Sequence, residues 1–295
     1  MGRIIYGDNL DVLRGLPDAV ADLIYVDPPF NTGKVQQRTR IRTVRDDEGG
    51  DRTGFGGRRY RTVELGTQSF ADRFDDFLAF LEPRLREGRR ILKRNGSLFL
   101  HVDCREAHYC KVLMDAIYGR GSFMNEIIWA YDFGGRTKRR WPPKHDNILW
   151  YAADPGDYTF DYDEIERIPY MAPGLAGSKK AARGKTPTDV WWHTIVPTNS
   201  AERTGYPTQK PLGVVERIVR VHSRPGDLLV DFFAGSGTLG EAAALNGRDF
   251  LLVDNNPEAI AVMARRLARF GPEFVGCDGL LPEDVGPGHA DPLTA

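Results

Sequence analysis

The feature that most restricts what this chain can fold into is the tetrapeptide Asp27-Pro28-Pro29-Phe30, set at the end of the apolar run Asp22-Leu23-Ile24-Tyr25-Val26. The run is short, β-branched and aromatic, and two prolines stop it, so it reads as a buried strand. The tetrapeptide then puts a carboxylate, two rigid residues and an aromatic face at the C-terminal mouth of a strand, where open α/β sheets bind their ligands. Taken alone it is equally a strand end with a Pro-Pro turn. A second motif, far downstream, separates the two readings.

Leu228 to Phe232 is another buried strand, and Ala234-Gly235-Ser236-Gly237-Thr238 follows it as a glycine turn leading into a helix rich in alanine. Glycines let a backbone approach a ligand closely, and a helix N-terminus favours a ligand's polar or anionic end. Asp254 closes the next strand, nineteen residues after Gly235, where a carboxylate can accept both hydroxyls of a ribose. Gly235, Gly237 and Gly240 also match the dinucleotide fingerprint, which keeps a nicotinamide- or flavin-dependent oxidoreductase as an alternative. Only one further strand and helix follow Gly240, too little for the second mononucleotide half of a dinucleotide fold. No Gly-Lys-Ser/Thr follows the turn, so it is not a P-loop.

Phe233-Ala-Gly-Ser-Gly together with Asp27-Pro-Pro-Phe resembles the S-adenosylmethionine-dependent DNA amino-methyltransferases. The order resembles their β class: Asp27-Pro-Pro-Phe first, a recognition region, then Tyr206-Pro-Thr-Gln-Lys-Pro-Leu and the glycine turn. Related glutamine and ribosomal-RNA methyltransferases usually place the glycine motif first. The resemblance spans roughly residues 3 to 270. It implies an α/β, Rossmann-like methyltransferase fold, with a mostly parallel sheet, circularly ordered motifs and an inserted recognition region.

It also implies roles. Phe233, Gly235 and Gly237 would shape the methionine side of S-adenosyl-L-methionine, Asp254 would hold the ribose, and Asp8 would lie near the adenine. Thr208 and Lys210 would cover the methionine end, and Asn9, Asp231, Thr238 and Asn255 belong to the same pocket. Asp27 and the carbonyl of Pro28 would accept the two hydrogens of an exocyclic amino group, with Pro29 shaping the turn and Phe30 stacking on the base. The target base would be flipped out of double-stranded DNA, since its amino group is inaccessible in the duplex. An Asp in the first motif position is more typical of adenine-N6 enzymes, and a Ser of cytosine-N4 enzymes. An inert DNA-binding protein of the same fold is the non-enzyme rival, and the intact Asp27 motif speaks against it. A homodimer and a separately encoded restriction endonuclease are compatible partners.

The net charge of −1 hides an uneven distribution. From Asn31 to Arg61 nine Lys/Arg, among them Lys34, Arg38, Arg40 and Arg42, stand against four acids. A second cluster is Arg136, Lys138, Arg139, Arg140 and Lys144, and a third contains Lys179, Lys180, Arg183 and Lys185. Charge runs are usually solvated faces, but these are interleaved with glycines and aromatics (Phe55, Tyr60, Trp141), a composition suited to phosphate contact and base stacking.

The rest of the chain sorts into a catalytic half (1–151) with a long mobile basic loop (31–67), a recognition region (152–205), a cofactor half (206–272) and a loosely held tail (273–295). Ser69 reads as the cap of a helix through Phe74, Phe77, Leu78 and Leu81 that kinks or breaks at Pro83. His101, Cys104, His108 and Cys110 fit no common zinc spacing, so no metal is expected. Trp191-Trp192 either contacts bases or packs the recognition region, and packing is favoured. Three cysteines make no disulfide framework, and no apolar run approaches a membrane span of roughly 18 residues, which points to a reducing cytoplasm, at the nucleoid.

Overall fold

In a computed structural model, secondary structure is described for residues 1–29, 34–45, 49, 52–53, 59–72 and 76–283, and side chains for 1–29, 49, 59, 61 and 76–283. In chain order the elements are β1 (Arg3–Tyr6), α1 (Asn9–Gly15), β2 (Ala21–Val26), β3 (Lys34–Arg45), β4 (Arg52–Thr53) and β5 (Arg59–Asp72). Then come α2 (Phe77–Ile91), β6 (Leu92–Asp103), α3 (Ala107–Tyr118), β7 (Phe123–Ala130), β8 (His145–Ala152), α4 (Pro173–Ala176), α5 (Ser178–Arg183) and β9 (Val190–Trp192). The last are α6 (Leu212–His222), β10 (Leu228–Asp231), α7 (Thr238–Leu245), β11 (Asp249–Asp254), α8 (Pro257–Leu267) and β12 (Glu273–Val275).

Two compact units form: Pro29–Phe77, and Met1–Pro28 with Leu78–Ala295. In the larger unit the strand order among the described residues is β12-β1-β11-β10-β2-β6-β8-β7-β9. Every strand runs parallel except β8, which is antiparallel to both β6 and β7. The mostly parallel α/β fold expected from the motifs is therefore the fold observed. From β10 the chain passes through α7 to β11 on one side, whereas from β2 it leads to β6 on the other. The topological switch point lies between β10 and β2, where sheets of this kind open a crevice at the strands' carboxyl ends.

The core explains why these segments are strands. All six residues of β2 are buried, as a central parallel strand covered on both faces requires. One apolar cluster joins Ile4, Tyr25, Leu229 and Leu252 of the sheet to Val215 and Ile218 of α6, Leu239 of α7 and Met263 of α8. Asn256 caps α8 by accepting from the Glu258 N–H (3.0 Å), and Pro257 follows at the first helical position.

Four sequence expectations are corrected. The stretch 31–67, expected to be an irregular loop, carries β3 and β5, paired antiparallel from Lys34↔Asp72 to Arg45↔Tyr60, with β4 added against β5. These strands mix β-branched residues (Val35, Thr39, Ile41, Thr43, Val44) with arginines. Their strand propensity is carried by few apolar residues, and the charge and glycine content of 31–67 read as loop. Ser69 lies in β5 and caps no helix; α2 starts at Phe77 and runs unbroken through Pro83, with Leu81 and Leu85 fully buried. The region 152–205 contributes β9 to the edge of the main sheet, so it is not wholly separate from it. The tail contributes β12, which pairs with β1 from Arg3↔Glu273 to Ile5↔Val275, while residues 284–295 lie outside the described residues. No helix among the described residues is long and apolar enough to cross a membrane.

Candidate active site

The C-terminal ends of β1, β11, β10 and β2 form one rim, because these strands are parallel neighbours. At that rim Gly235 (φ 50°) and Gly237 (φ 73°) hold the left-handed backbone of the turn after β10. A Cβ on Gly237 would come within 2.8 Å of Met263 Cγ, and one on Gly235 within 3.2 Å of the Tyr206 ring. Both positions therefore need glycine on two counts.

The turn is pinned by the side chains around it. Asp254 Oδ2 accepts the Gly235 N–H (2.8 Å), and its Oδ1 accepts the Asn256 N–H (2.8 Å). Asp231 Oδ1 accepts the Phe233 N–H (2.9 Å). Arg266 donates to the Ser236 carbonyl (3.1 Å) and to Thr238 Oγ1 (2.9 Å) while pairing with Glu241 (2.7 Å). Thr238 in turn donates to the carbonyl of Lys210 (3.2 Å), so Thr238 holds the turn from behind. Burial pushes the carboxyls of Asp231 and Asp254 up, Asp231 strongly, with Asp27 and Asp254 adding to the effect on Asp231.

Asp27 closes β2 on the same rim. Its Oδ2 accepts from Lys210 Nζ, and the two side chains are only 15% and 9% exposed. Its Oδ1 is buried and has no hydrogen-bond partner among the described residues. Lys210, expected at the cofactor's methionine end, thus turns its ammonium to the base motif. Behind Asp27, Tyr25 Oη meets His101 Nδ1 (2.7 Å), and His101 Nε2 meets Asp146 Oδ2 (3.2 Å). Burial raises the Tyr25 phenol well above its ordinary range, and the charges of Asp27, Asp231 and Asp146 add to it. Burial also works against the Asp146 carboxylate, but the His101 hydrogen bond and the charges of His101 and Lys210 outweigh it and hold Asp146 low.

Asp8 caps α1 through the Leu10 N–H (2.9 Å) and accepts from Arg84 (3.3 Å). Asn9 donates to the Phe232 carbonyl (2.7 Å) and accepts from Arg84 Nε (2.6 Å). Arg84 lies 3.9 Å over the Phe80 ring, which packs 6.0 Å from that of Phe233. Sequence reading missed Arg84 and Arg266, since neither sits in a motif and each matters through partners distant in the chain. Thr208 and Asn255 are exposed near the rim. Phe30 lies outside the described residues, as do the side chains of Lys34, Arg38, Arg40 and Arg42 on β3.

β7 runs parallel to β2, so the connection 131–144 leaves the sheet at the same rim. It carries Arg136, Lys138, Arg139 and Arg140, all exposed, and Trp141, which is 95% exposed. Lys179 and Lys180 are exposed on α5. His101 serves the buried chain just described and Cys110 packs in α3, and among the described residues no metal-ligating group of three or more side chains assembles. Trp191 packs against the core, whereas Trp192 is 72% exposed.

The rim's chemistry fits a nucleoside carrying a cationic methyl donor. Asp8, Asp231 and Asp254 converge there, Asp254 keeps lone pairs beyond its two backbone bonds, and Phe233 and Tyr206 offer apolar surface. The carboxyl oxygens of Asp8 and Asp254 can accept the hydroxyls of a nucleoside. Fold and rim together define a methyltransferase-type α/β cleft.

Comparison with known proteins carries this to a family. The profile of the DNA methylase family N6_N4_Mtase matches residues 21–265. The chain belongs to this family and is an S-adenosylmethionine-dependent DNA amino-methyltransferase of the N6-adenine/N4-cytosine kind. It is 29% identical over 278 residues to the Type II methyltransferase M.HpaI of Haemophilus parainfluenzae, covering 94% of this chain and 77% of that protein. It is 29% identical over 277 residues to the DNA adenine methyltransferase YhdJ of Escherichia coli (strain K12), covering 90% and 82%. Among solved structures, the cytosine-N4-specific PvuII DNA methyltransferase superposes with a TM-score of 0.63 at 16% identity, over 90% of this chain and 86% of that one. A putative DNA modification methylase from Thermus thermophilus, complexed with S-adenosyl-L-methionine, gives 0.58 at 23% identity, over 93% and 98%.

Proposed function

We propose that the enzyme methylates adenine N6 in double-stranded DNA, with Asp27 and the Pro28 carbonyl as the acceptors of the target amino group. The observation that carries this is Asp27 Oδ1 at the switch point, beside the glycine turn, buried and with no partner among the described residues. A buried acceptor without a partner is costly, and such atoms persist where a substrate donor completes them.

A nucleobase amino nitrogen is a poor nucleophile because its lone pair is delocalised into the ring. Asp27 Oδ1 and the Pro28 carbonyl, aimed at its two hydrogens, favour a pyramidal nitrogen whose lone pair is free for attack. Asp27 Oδ1 is also the first acceptor for the proton that nitrogen sheds. S-adenosylmethionine, when bound, supplies an electrophilic methyl on a cationic sulfonium. Phe233, Gly235 and Gly237 would line its methionine side, Asp254 would hold its ribose hydroxyls, and Asp8 and Asn9 would border its adenine. Phe30 would stack on the flipped base.

The DNA itself would meet the connection 131–144, whose four cations can reach phosphates and whose Trp141 offers an exposed stacking face. The basic residues of β3 would add phosphate contacts, and 152–205, with Lys179 and Lys180, would read the recognition sequence. A homodimer, a separately encoded restriction endonuclease and residence at the nucleoid belong to the same proposal.

Adenine is favoured because Asp27 occupies the position where the family's cytosine-N4 enzymes usually carry Ser. The similarity to a DNA adenine methyltransferase supports it too. The test is to methylate DNA with the purified protein, digest it to nucleosides and analyse them by mass spectrometry. N6-methyladenine is expected; N4-methylcytosine alone would show that pocket shape, and not Asp27, selects the base.

A further inference from the structure

Lys210 belongs to two networks at once. Its ammonium contacts Asp27 Oδ2, and its backbone carbonyl accepts from Thr238, the residue that Arg266 ties to the glycine turn. Lys210 is 8% exposed, so this contact lies away from solvent screening. Its positive charge also acts on Asp231 and Asp146.

A carboxylate has two equivalent oxygens and rotates easily about its Cβ–Cγ bond, a broad two-fold torsion. Orienting one oxygen on a substrate hydrogen requires that the other be anchored. An ammonium is a compact point charge with three donors, and here it can hold one oxygen while leaving the second open. A cation at this place is poorly suited to grip a cationic sulfonium directly, whereas paired with Asp27 its charge is met.

We propose that Lys210 is the positioning residue of the base site. Anchored to the glycine turn through its own carbonyl, it fixes Asp27 through Oδ2 so that Oδ1 remains turned to the target amino hydrogen. The proposal rests on Asp27 being the amino-group acceptor. It places Lys210 in turnover, and not in cofactor affinity.

The test compares full-length wild type with Lys210→Met, Lys210→Arg and Lys210→Gln. Methyl transfer to plasmid DNA is followed with labelled S-adenosylmethionine, cofactor Kd by calorimetry, and the Asp27 carboxylate in crystals of the cofactor-free variants. For Lys210→Met, kcat should fall about 100-fold, as misplacement of a reacting group does, with the cofactor Kd within about threefold of wild type. The Asp27 carboxylate should rotate from its wild-type plane. Lys210→Arg, which can still pair with Asp27, should recover turnover to within roughly tenfold of wild type. If Lys210→Met does not fold, Lys210→Gln, which keeps a donor but no charge, should show the same split between kcat and Kd. Wild-type kcat in the Met or Gln variant, an unmoved carboxylate, or a loss confined to cofactor Kd would each overturn the proposal. A wild type that transfers no methyl to DNA would instead overturn the assigned reaction, and the crystals would still decide whether Lys210 orients Asp27.

Discussion

β10 and β2 are hydrogen-bonded neighbours, paired at Leu229↔Leu23 and Val230↔Ile24, yet their C-terminal ends are finished in opposite ways. After β10, the glycine turn is closed by Asp231, Asp254, Thr238 and Arg266, each of which makes at least one hydrogen bond within the chain. After β2, Asp27 keeps a buried oxygen without a partner among the described residues. The first end is organised by the protein before any ligand arrives. Under the proposed function, the second is left for the substrate to complete. Rigidity on the cofactor side and an open valence on the base side are what a two-substrate transfer needs, since only one of the partners can be held by a permanent cradle.

The largest effect that can break this contrast is at Asp27. Asp27→Ala should lower methyl transfer by at least about 10²–10³-fold, the cost of removing an oriented electrostatic partner, while cofactor Kd stays within a few fold. Near-wild-type turnover in a radiolabel assay would mean that the orphaned oxygen is not the reacting acceptor.

Next comes Arg266, only 4% exposed where it meets Glu241. Arg266→Met removes one of the two cations on Glu241, which keeps Arg269 (2.9 Å), and should cost about 1–3 kcal/mol in denaturant unfolding. It should also weaken cofactor binding, because the turn loses its rear support. Unchanged stability and affinity would show that the turn is self-supporting.

Asp254→Ala sharpens the comparison on the ligand side. It should weaken S-adenosylmethionine binding by about 1–3 kcal/mol if a charged hydrogen bond is lost, with kcat at saturating cofactor little changed. A titration showing equal affinity would move the ribose site elsewhere on the rim.

The smallest effect is at Asp231, whose carboxyl is pushed up in the folded state by burial first, and then by Asp27 and Asp254. The folded protein holds this proton to higher pH than the unfolded chain does. Stability from this group is therefore present at acid pH and declines as pH rises above the ordinary carboxylate range toward the raised value. Asp231→Asn keeps an oxygen for the Phe233 N–H and should flatten that decline in melting temperature against pH. An unaltered slope would show that Asp231 is ionised in the fold.

Much of the site was legible along the chain because each motif is a local event. A strand that ends in prolines, a turn that needs glycines and an acid closing the next strand are each written within a few residues, and Asp27, Gly235, Gly237 and Asp254 do meet at one rim. The alternation of short apolar runs with amphipathic helices likewise announced a mostly parallel α/β sheet. Neighbouring sequence could not show where long side chains reach. Arg84 and Arg266 act on residues 75 and 28 positions away, and Lys210 reaches Asp27 across 183. Nor did apolar periodicity find β3 and β5, since their β-branched positions (Val35, Thr39, Ile41, Thr43) alternate with arginines in a stretch whose charge and glycine content read as loop. Sequence alone thus determined the chemistry present at the strand ends. Only the tertiary structure decided which acid is satisfied and which is left open, because that depends on partners supplied from elsewhere in the fold.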